Sequence, residues 1–215
     1  MHITRRIARA LLRHYLPPPV KAHHMEYSML YSVDDDVASA SPRLIALAVD
    51  AIQQAQTVLL AEVTSRFTQP PYYTEIWPGE HYKLLAGLVR TLQPTSVIEI
   101  GTAGGLGALT MKRFLPTGGK LVTFDIVPWR DLPYAVLRES DFTDGQLVQC
   151  TDDLTNPAMF AKHRALFEQA DLIFIDAAKD GVMEQTFLDH FATVKFRTAP
   201  LMVFDDIRLW NMLRI

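Results

Sequence analysis

The spacing of apolar residues differs between two regions of the chain. Between residues 41 and 66, leucine, isoleucine and valine recur at intervals of three and four, which predicts helical structure. Ser41 followed by Pro42 is typical of an N-cap and a first helical residue. A proline-rich and aromatic loop over 68–79 and a helix over 80–92 are predicted to follow.

Beyond this helix, short apolar runs alternate with segments that are helical or could be. The runs are SVIEI (96–100), KLVTFD (120–125), QLVQC (146–150), DLIFID (171–176) and PLMVFDD (200–206). Apolar strands separated by helical segments indicate a parallel sheet with helices on both faces. The predicted fold class is therefore α/β, with a Rossmann-like, mostly parallel sheet that binds its ligand beyond the carboxyl ends of the strands.

The composition excludes several classes of protein and is consistent with the predicted fold. The chain has 215 residues, of which 49% are hydrophobic and 21% charged, as expected for one folded domain with a helical extension. A net charge of −3 offers no basic surface to nucleic acid. The single cysteine, Cys150, excludes an intramolecular disulfide. A lone thiol suits the reducing cytoplasm, where we expect the protein to be found. No apolar run reaches the ~20 residues that span a bilayer, so we expect no stable membrane insertion.

Residues 1–16, MHITRRIARALLRHYL, carry a basic amphipathic pattern. They lack the continuous apolar core of a signal peptide, and we expect a helix that packs on the same domain or on a second subunit. Binding to a membrane surface is the alternative. The predicted organisation is an N-terminal helical extension over 1–75, which acts as a cap or dimer contact, and a ligand-binding domain over 76–215.

The first predicted strand leads directly into a glycine-rich turn, GTAGGLG, over residues 101–107. Glycines let the backbone turn tightly and approach a ligand closely at the start of a helix. Ala103 stands in place of the second glycine of the dinucleotide fingerprint G-x-G-x-x-G, and no G-K-[ST] pair follows, which excludes a P-loop. A turn that binds no ligand is the alternative.

Asp125 ends the second predicted strand. A carboxylate there can accept hydrogen bonds from both hydroxyls of a ribose, and together with the glycine turn it favours an adenosine-containing ligand. The alternative is an N-cap for the next helix, which is a common role of aspartate. Ile126, Val127 and Pro128 intervene before any helix, which favours the ligand role.

Carboxylates also end the fourth and fifth predicted strands. Asp176 ends the fourth, and Asp205 and Asp206 end the fifth, so we expect the three to converge above the sheet. Unpaired carboxylates at one place would repel one another unless a cation lay among them. Oxygen ligands select hard ions, which predicts a site for Mg²⁺, Ca²⁺ or Mn²⁺. Lys179 could reach the same cleft.

These motifs, in this order, resemble a known family. VIEIGTAGG, LVTFD, DLIFIDAAKDG and LMVFDD are similar to segments of the metal-dependent O-methyltransferases of the catechol and caffeoyl-CoA type, over roughly residues 77–210. The resemblance implies a class I methyltransferase that binds S-adenosylmethionine (SAM) and transfers its methyl group to a hydroxyl of a small molecule. It also implies a homodimer that forms through the N-terminal helices.

The resemblance implies a set of cofactor-binding residues at the strand ends and in the glycine turn. The set comprises Glu99, Gly101, Thr102, Ala103, Gly105, Asp125, Thr151, Asp152, Asp153 and Asp176. Glu99 and Gly101 would lie along the methionine end of the cofactor, and Asp125 would hold the ribose hydroxyls. Thr151 and one of the two aspartates after it would lie by the adenine.

The same resemblance makes Asp176, Asp205 and Asp206 the metal ligands. Lys179 corresponds to the family's general base, which would take the acceptor's proton or stabilise the oxyanion that forms. A metal ion would lower the pKa of the acceptor hydroxyl and orient it. Asp206 replaces the asparagine that is usual at the last metal position, which adds a negative charge.

Two further departures limit the resemblance. Gly107 stands where a hydroxyl residue often contacts the carboxylate of the cofactor, so this anchor is missing or supplied elsewhere. The chain ends at Ile215, whereas the family's fold continues through a helix and two more strands. We therefore expect a domain truncated at its C-terminus.

Three other functions share part of this pattern. A nicotinamide-dependent oxidoreductase would share the glycine turn and the ribose carboxylate, but Ala103 and the three acidic residues disfavour it. A binding module that keeps the cofactor fold without turnover is a second alternative. Methylation of nitrogen or carbon is a third, and it would leave the three carboxylates without a role.

Overall fold

The computed structural model describes residues 41–68, 74, 80–177 and 182–205. The amphipathic pattern of residues 1–16 and the candidate residues Lys179 and Asp206 lie outside these ranges. Within them, no helix combines the length and the apolar character that are needed to cross a bilayer.

A five-stranded parallel sheet forms the centre of the fold. Its strands are β1 (Ser96–Ile100), β2 (Lys120–Phe124), β3 (Leu147–Cys150), β4 (Leu172–Ile175) and β5 (Leu201–Phe204). They lie in the order β3-β2-β1-β4-β5, and each neighbouring pair is parallel. Each strand falls inside one of the five predicted apolar runs. The predicted α/β fold with a Rossmann-like sheet is confirmed.

Seven α-helices accompany the sheet in the part of the chain that the structure describes. They are α1 (Pro42–Ala55), α2 (Ala61–Thr64), α3 (Glu80–Leu92), α4 (Leu106–Lys112), α5 (Pro157–Lys162), α6 (Arg164–Glu168) and α7 (Val182–Phe191). The hydroxyl of Ser41 accepts a hydrogen bond from the N–H of Leu44 at 3.1 Å, so the predicted N-cap is confirmed. The helix predicted over residues 80–92 is also confirmed.

The helical pattern predicted over residues 41–66 forms two helices, because a turn over 56–60 separates α1 from α2. The N–H and the hydroxyl of Thr57 both donate to the carbonyl of Gln54, at 3.0 and 2.9 Å. These bonds satisfy a carbonyl at the end of α1 within a tight turn. The apolar spacing continues through the turn because Val58 is buried there, so periodicity does not reveal the break.

Helices cover both faces of the sheet. Side chains alternate along β1, so Val97 points to the layer of α3 and α4, whereas Ile98 points to the layer of α5, α6 and α7. The second layer is rich in phenylalanine, and its buried rings are Phe124, Phe160, Phe167, Phe187 and Phe191. Each such ring contributes about 1.5–3 kcal/mol by leaving water.

The connection from β2 to β3 contains no α-helix, unlike the helical segment expected between strands. It forms two short 3₁₀ helices, Trp129–Asp131 and Glu139–Phe142. Prolines interrupt this segment, and proline cannot continue the interior of a helix. Both guanidinium nitrogens of Arg66 donate to the carboxylate of Asp141, at 2.5 and 2.7 Å. This pair ties the connection to the segment that follows α2.

Candidate cofactor and metal site at the strand ends

The carboxyl ends of the strands meet where the strand order reverses. β1 lies between β2 and β4, and Gly101, Asp125 and Asp176 directly follow these three strands. Open α/β sheets bind their ligands in the crevice at such a switch point. The structure therefore brings the glycine turn and two of the predicted carboxylates to one place.

The glycine turn and the end of β4 are in direct backbone contact at Gly101. Its φ is +104°, a conformation that favours glycine. A β-carbon at this position would lie 2.2 Å from the carbonyl oxygen of Asp176. The N–H of Gly101 donates to the carbonyl of Phe124 at 2.8 Å. Glycine at this position therefore lets the ends of β1, β2 and β4 come together.

The carboxylate of Asp125 is fixed by two backbone N–H groups. Its Oδ2 accepts from Ala103 at 2.8 Å and its Oδ1 accepts from Val127 at 3.0 Å. Ala103 has φ +42°, which is uncommon for a residue with a β-carbon, and the bond to Asp125 stabilises it. The next helical element has Pro128 as its N-cap, so Asp125 does not cap it. Each carboxylate oxygen keeps a further lone pair for a ligand.

The other predicted residues of the turn contribute backbone rather than side chains to the crevice. The hydroxyl of Thr102 is buried and lies 2.7 Å from the hydroxyl of Thr123. Gly105 has φ +85°, and a β-carbon there would lie 2.2 Å from the side chain of Leu137. The turn is therefore shaped by the β2–β3 connection that packs against it.

Glu99 lies beneath the glycine turn, and only 1% of its surface is exposed. Its Oε2 accepts a hydrogen bond from the hydroxyl of Thr123 at 2.5 Å. Burial raises the pKa of Glu99 to about 8, and the negative charges of Asp176 and Asp125 also raise it. The hydrogen bond from Thr123 lowers the pKa but does not outweigh these effects. A β-carbon on Gly107 would lie 2.2 Å from Oε1 of Glu99. The Glu99 carboxyl therefore fills the space that a hydroxyl side chain at residue 107 would need.

Two of the three candidate adenine residues have clear positions after β3. Thr151 is exposed, and Asp153 orders the loop that leads into α5. The Oδ1 of Asp153 accepts from the N–H and from the hydroxyl of Thr155, at 2.9 and 2.6 Å. Their contact with a cofactor stays a prediction.

Asp152, the third candidate, forms two charged contacts through one oxygen. Its Oδ2 lies 2.6 Å from Nε2 of His163 and 2.8 Å from Nζ of Lys162. The hydrogen bonds from Lys162 and His163 hold the pKa of the Asp152 carboxyl below its usual range. Asp152 is therefore ionised at neutral pH.

Asp176 and Asp205 follow the paired strands β4 and β5, at the same edge of the sheet. Nε2 of His81 lies 3.8 Å from Oδ2 of Asp205, which is an ion pair when the imidazole is protonated. In the ranges that the structure describes, no three His, Cys, Asp or Glu side chains are arranged to hold a metal ion. Asp206 and Lys179 lie outside those ranges, so the metal site and the general base stay predictions.

Sequence reasoning missed two residues that organise this site, Thr123 and His163. Thr123 lies in the apolar run of β2, where its hydroxyl joins Thr102 to Glu99. His163 lies between α5 and α6, 11 residues after Asp152, and that spacing belongs to no motif. Only the folded chain reveals either contact.

The chain is similar in sequence to two curated enzymes. It is 29% identical over 113 residues to catechol O-methyltransferase of Mus musculus, and 31% identical over 107 residues to catechol O-methyltransferase B of Danio rerio. Each match covers 49% of this chain and 40% of the relative. The match therefore spans less than half of each curated relative.

Among solved structures, the O-methyltransferase TomG from Streptomyces achromogenes, in complex with SAM, is 21% identical, with a TM-score of 0.49. That similarity covers 74% of this chain and 71% of TomG. Residues 51–213 match the family model described as O-methyltransferase. The matched range contains the glycine turn, Asp125 and the ends of β4 and β5. The chain therefore belongs to the O-methyltransferase family.

Proposed function

We propose that this chain binds SAM and transfers its methyl group to a hydroxyl of a small molecule, assisted by a divalent metal ion. The observation that carries the proposal is the fixed carboxylate of Asp125 beside the glycine turn, at the switch point of the sheet. A nucleoside ribose needs such an acceptor pair there. Membership of the O-methyltransferase family supports SAM over other adenosine cofactors.

The described residues fit this cofactor. Asp125 would accept from the ribose hydroxyls, and the backbone of Gly101 would border the methionine end, because glycine lets the chain run close to a ligand. When bound, SAM supplies a methyl group on a positively charged sulfur. Neighbouring carboxylates such as Asp176 and Asp125 make the electrostatic environment of this crevice favourable to a cation.

For the metal ion, the structure describes two of the three proposed ligands. Asp176 and Asp205 stand at adjacent strand ends, and carboxylate oxygens suit Mg²⁺. Asp206 would complete the set. A divalent ion there would supply positive charge that lowers the pKa of the acceptor hydroxyl.

Lys179 would take the proton of the acceptor hydroxyl at its Nζ. The names of the curated relatives, which are catechol O-methyltransferases, support a hydroxyl of a small molecule as the proposed acceptor. Holding the acceptor oxygen in line with the methyl group accounts for much of the rate enhancement of such a transfer.

Calorimetric titration of the purified chain with SAM and, separately, with NAD⁺ tests this function. Each titration is run with Mg²⁺ and with EDTA. We expect micromolar binding of SAM and no binding of NAD⁺. In a separate turnover assay, we expect methylation of hydroxyl acceptors that EDTA abolishes. Binding of neither ligand by a chain that circular dichroism shows to be folded would favour a binding module without turnover. Turnover that EDTA leaves unchanged would remove the metal ion from the proposal.

Lys179→Ala tests the general base. We expect methyl transfer to fall at least 100-fold, in the range of general-base effects, while SAM affinity stays within about threefold of the parent. Lys195→Ala is the matched control, because Lys195 is an exposed lysine after α7 and its replacement should leave turnover unchanged. Near-normal turnover of Lys179→Ala would exclude the catalytic role.

A further inference from the structure

The carboxylate of Asp152 has one occupied and one open oxygen. Oδ2 is bound by His163 at 2.6 Å and by Lys162 at 2.8 Å. Oδ1 accepts no hydrogen bond from the residues that the structure describes. About a quarter of the side chain is exposed, so a ligand can reach it. Oδ1 is therefore a charged acceptor that is open to a ligand, while Oδ2 is held by His163 and Lys162.

The two anchoring residues differ in how firmly they are held. The ring of His163 packs edge-on against Phe124, with 4.9 Å between ring centroids, and its side chain is only 10% exposed. The side chain of Lys162 is 61% exposed. An exposed ammonium is mobile and screened by salt, so its contact contributes little. His163 is therefore the residue that fixes the orientation of the Asp152 carboxylate.

Asp152 stands one strand away from the predicted ribose site. The N–H of Asp125 donates to the carbonyl of Cys150 at 3.1 Å, which places the ends of β2 and β3 side by side. Neighbouring strands lie about 4.8 Å apart. A nucleoside whose ribose is held at Asp125 can therefore reach the end of β3 with its base.

Resting on the proposed function, we infer that His163 is a positioning residue for base recognition: by anchoring Oδ2 of Asp152, it leaves Oδ1 directed to the exocyclic amine of the cofactor's adenine. An ionised carboxylate accepts hydrogen bonds and donates none. Adenine presents an amine as a donor at this position, whereas hypoxanthine presents a carbonyl oxygen, which the carboxylate repels. Since Asp152 accepts at Oδ2, the Nε2 of His163 carries the hydrogen of this bond.

Affinity for two matched ligands tests this role without measuring turnover. The dissociation constants of S-adenosylhomocysteine and of its deaminated analogue S-inosylhomocysteine are measured by calorimetry on the full chain. We expect the parent chain to prefer the adenine ligand by about 10- to 100-fold, which corresponds to one hydrogen bond to a charged group. Asp152→Asn should lose most of this preference, because its amide can present either a donor or an acceptor.

Two substitutions at His163 separate positioning from packing. His163→Phe keeps a ring against Phe124 but removes the N–H donor, and we expect the adenine preference to fall at least fivefold. His163→Gln keeps an N–H donor and should restore most of the preference. Lys162→Ala is the control at the same oxygen, and its preference should stay within about twofold of the parent.

The outcomes distinguish the role of His163 from the function on which it rests. If the parent chain binds neither ligand, the proposed function fails. If the parent chain prefers adenine and His163→Phe keeps the full preference, the positioning role is excluded. The same exclusion follows if His163→Gln loses the preference as fully as His163→Phe, because the N–H donor that glutamine supplies would then not orient Asp152. Thermal unfolding of each variant confirms that it is folded.

Discussion

The α-carbon of Gly101 lies against the backbone carbonyl of Asp176, so that 2.2 Å would separate this oxygen from any β-carbon at residue 101. Gly101 opens the glycine turn after β1, and Asp176 follows β4 at the proposed metal edge. The two parts of the site therefore share one backbone contact. The distance between them is fixed by the chain itself and not by adjustable side chains.

Gly101→Ala is expected to lower the free energy of unfolding by at least about 3 kcal/mol. The added methyl group meets backbone atoms that cannot rotate away, and φ of +104° is unfavourable for alanine. Gly118→Ala is the matched control, because Gly118 has φ +80° with nothing within 4 Å of an added β-carbon. It should cost only about 1–2 kcal/mol, from the backbone conformation alone. Equal losses in urea unfolding would show that the contact with Asp176 adds nothing.

Glu99 is expected to make the protein less stable as pH rises from 6 to 8.5. Its carboxyl ionises near 4.5 in the unfolded chain but only near 8 in the folded chain. Between these values the folded state holds a proton that the unfolded state lacks. Its stabilising contribution is complete below pH 4.5 and falls by about 1.4 kcal/mol per pH unit until pH 8.

Glu99→Gln provides the comparison for this pH dependence. Its amide oxygen can still accept from the hydroxyl of Thr123, and it cannot ionise. Urea unfolding at pH 6 and at pH 8.5 should show a loss of roughly 2 kcal/mol or more in the parent that is absent from the variant. Parallel losses in both proteins would mean that other groups titrate in this range.

Arg66→Leu is expected to lower the free energy of unfolding by about 2–3 kcal/mol, because it leaves the carboxylate of Asp141 buried without its bidentate partner. Burial alone would raise the pKa of Asp141, but the bonds from Arg66 and Arg138 lower it overall. Stability from this pair is therefore present above pH 3.8 and lost as pH falls through the folded pKa.

The exposed pair of Arg130 and Glu139 serves as the control for the buried one. Their side chains are 56% and 69% exposed, although the contact is also short. Arg130→Leu should leave the free energy of unfolding close to that of the parent, because solvent screens an exposed ion pair. A loss as large as that of Arg66→Leu would show that burial does not decide the strength of these pairs.

Asp125→Asn is expected to weaken the binding of S-adenosylhomocysteine by about 10- to 100-fold. The amide has only one acceptor oxygen for the N–H groups of Ala103 and Val127 and for the ribose. Asp144→Asn is the control, because Asp144 precedes β3 and so lies at the opposite edge of the sheet, and its amide oxygen can still accept from the N–H of Gln146. Its affinity should stay within about threefold of the parent. Unchanged affinity in Asp125→Asn would exclude the ribose role.

The sheet was predictable because its strands are apolar on both faces, and such runs are visible in sequence. The break after α1 was not, because Val58 keeps the apolar spacing through the turn. The missing helix between β2 and β3 had a sequence signal in its prolines, but the packing of this connection on Gly105 depends on contacts distant in sequence. The periodicity of apolar residues reflects local geometry and carries no information about such contacts.

The residues of the candidate site were likewise predictable only in part. Strand-end positions of Asp125, Asp176 and Asp205 followed from the pattern, because residues after parallel strands share one edge. The burial of Glu99 did not follow, since the family resemblance implies a position along the methionine end of the cofactor. Its environment depends on Gly107 and Thr123, which lie in different elements.

The strand order also sets the sequence in which the sheet can assemble. β1 meets β2 across short separations, as between Glu99 and Thr123, which are 24 residues apart. It meets β4 across long ones, as between Ser96 and Asp171, which are 75 residues apart. Closing the longer loop costs about 1 kcal/mol more in chain entropy. The half that carries Asp125 can therefore form early on the pathway, during synthesis as well as refolding, before β4 docks and brings Asp176 into place.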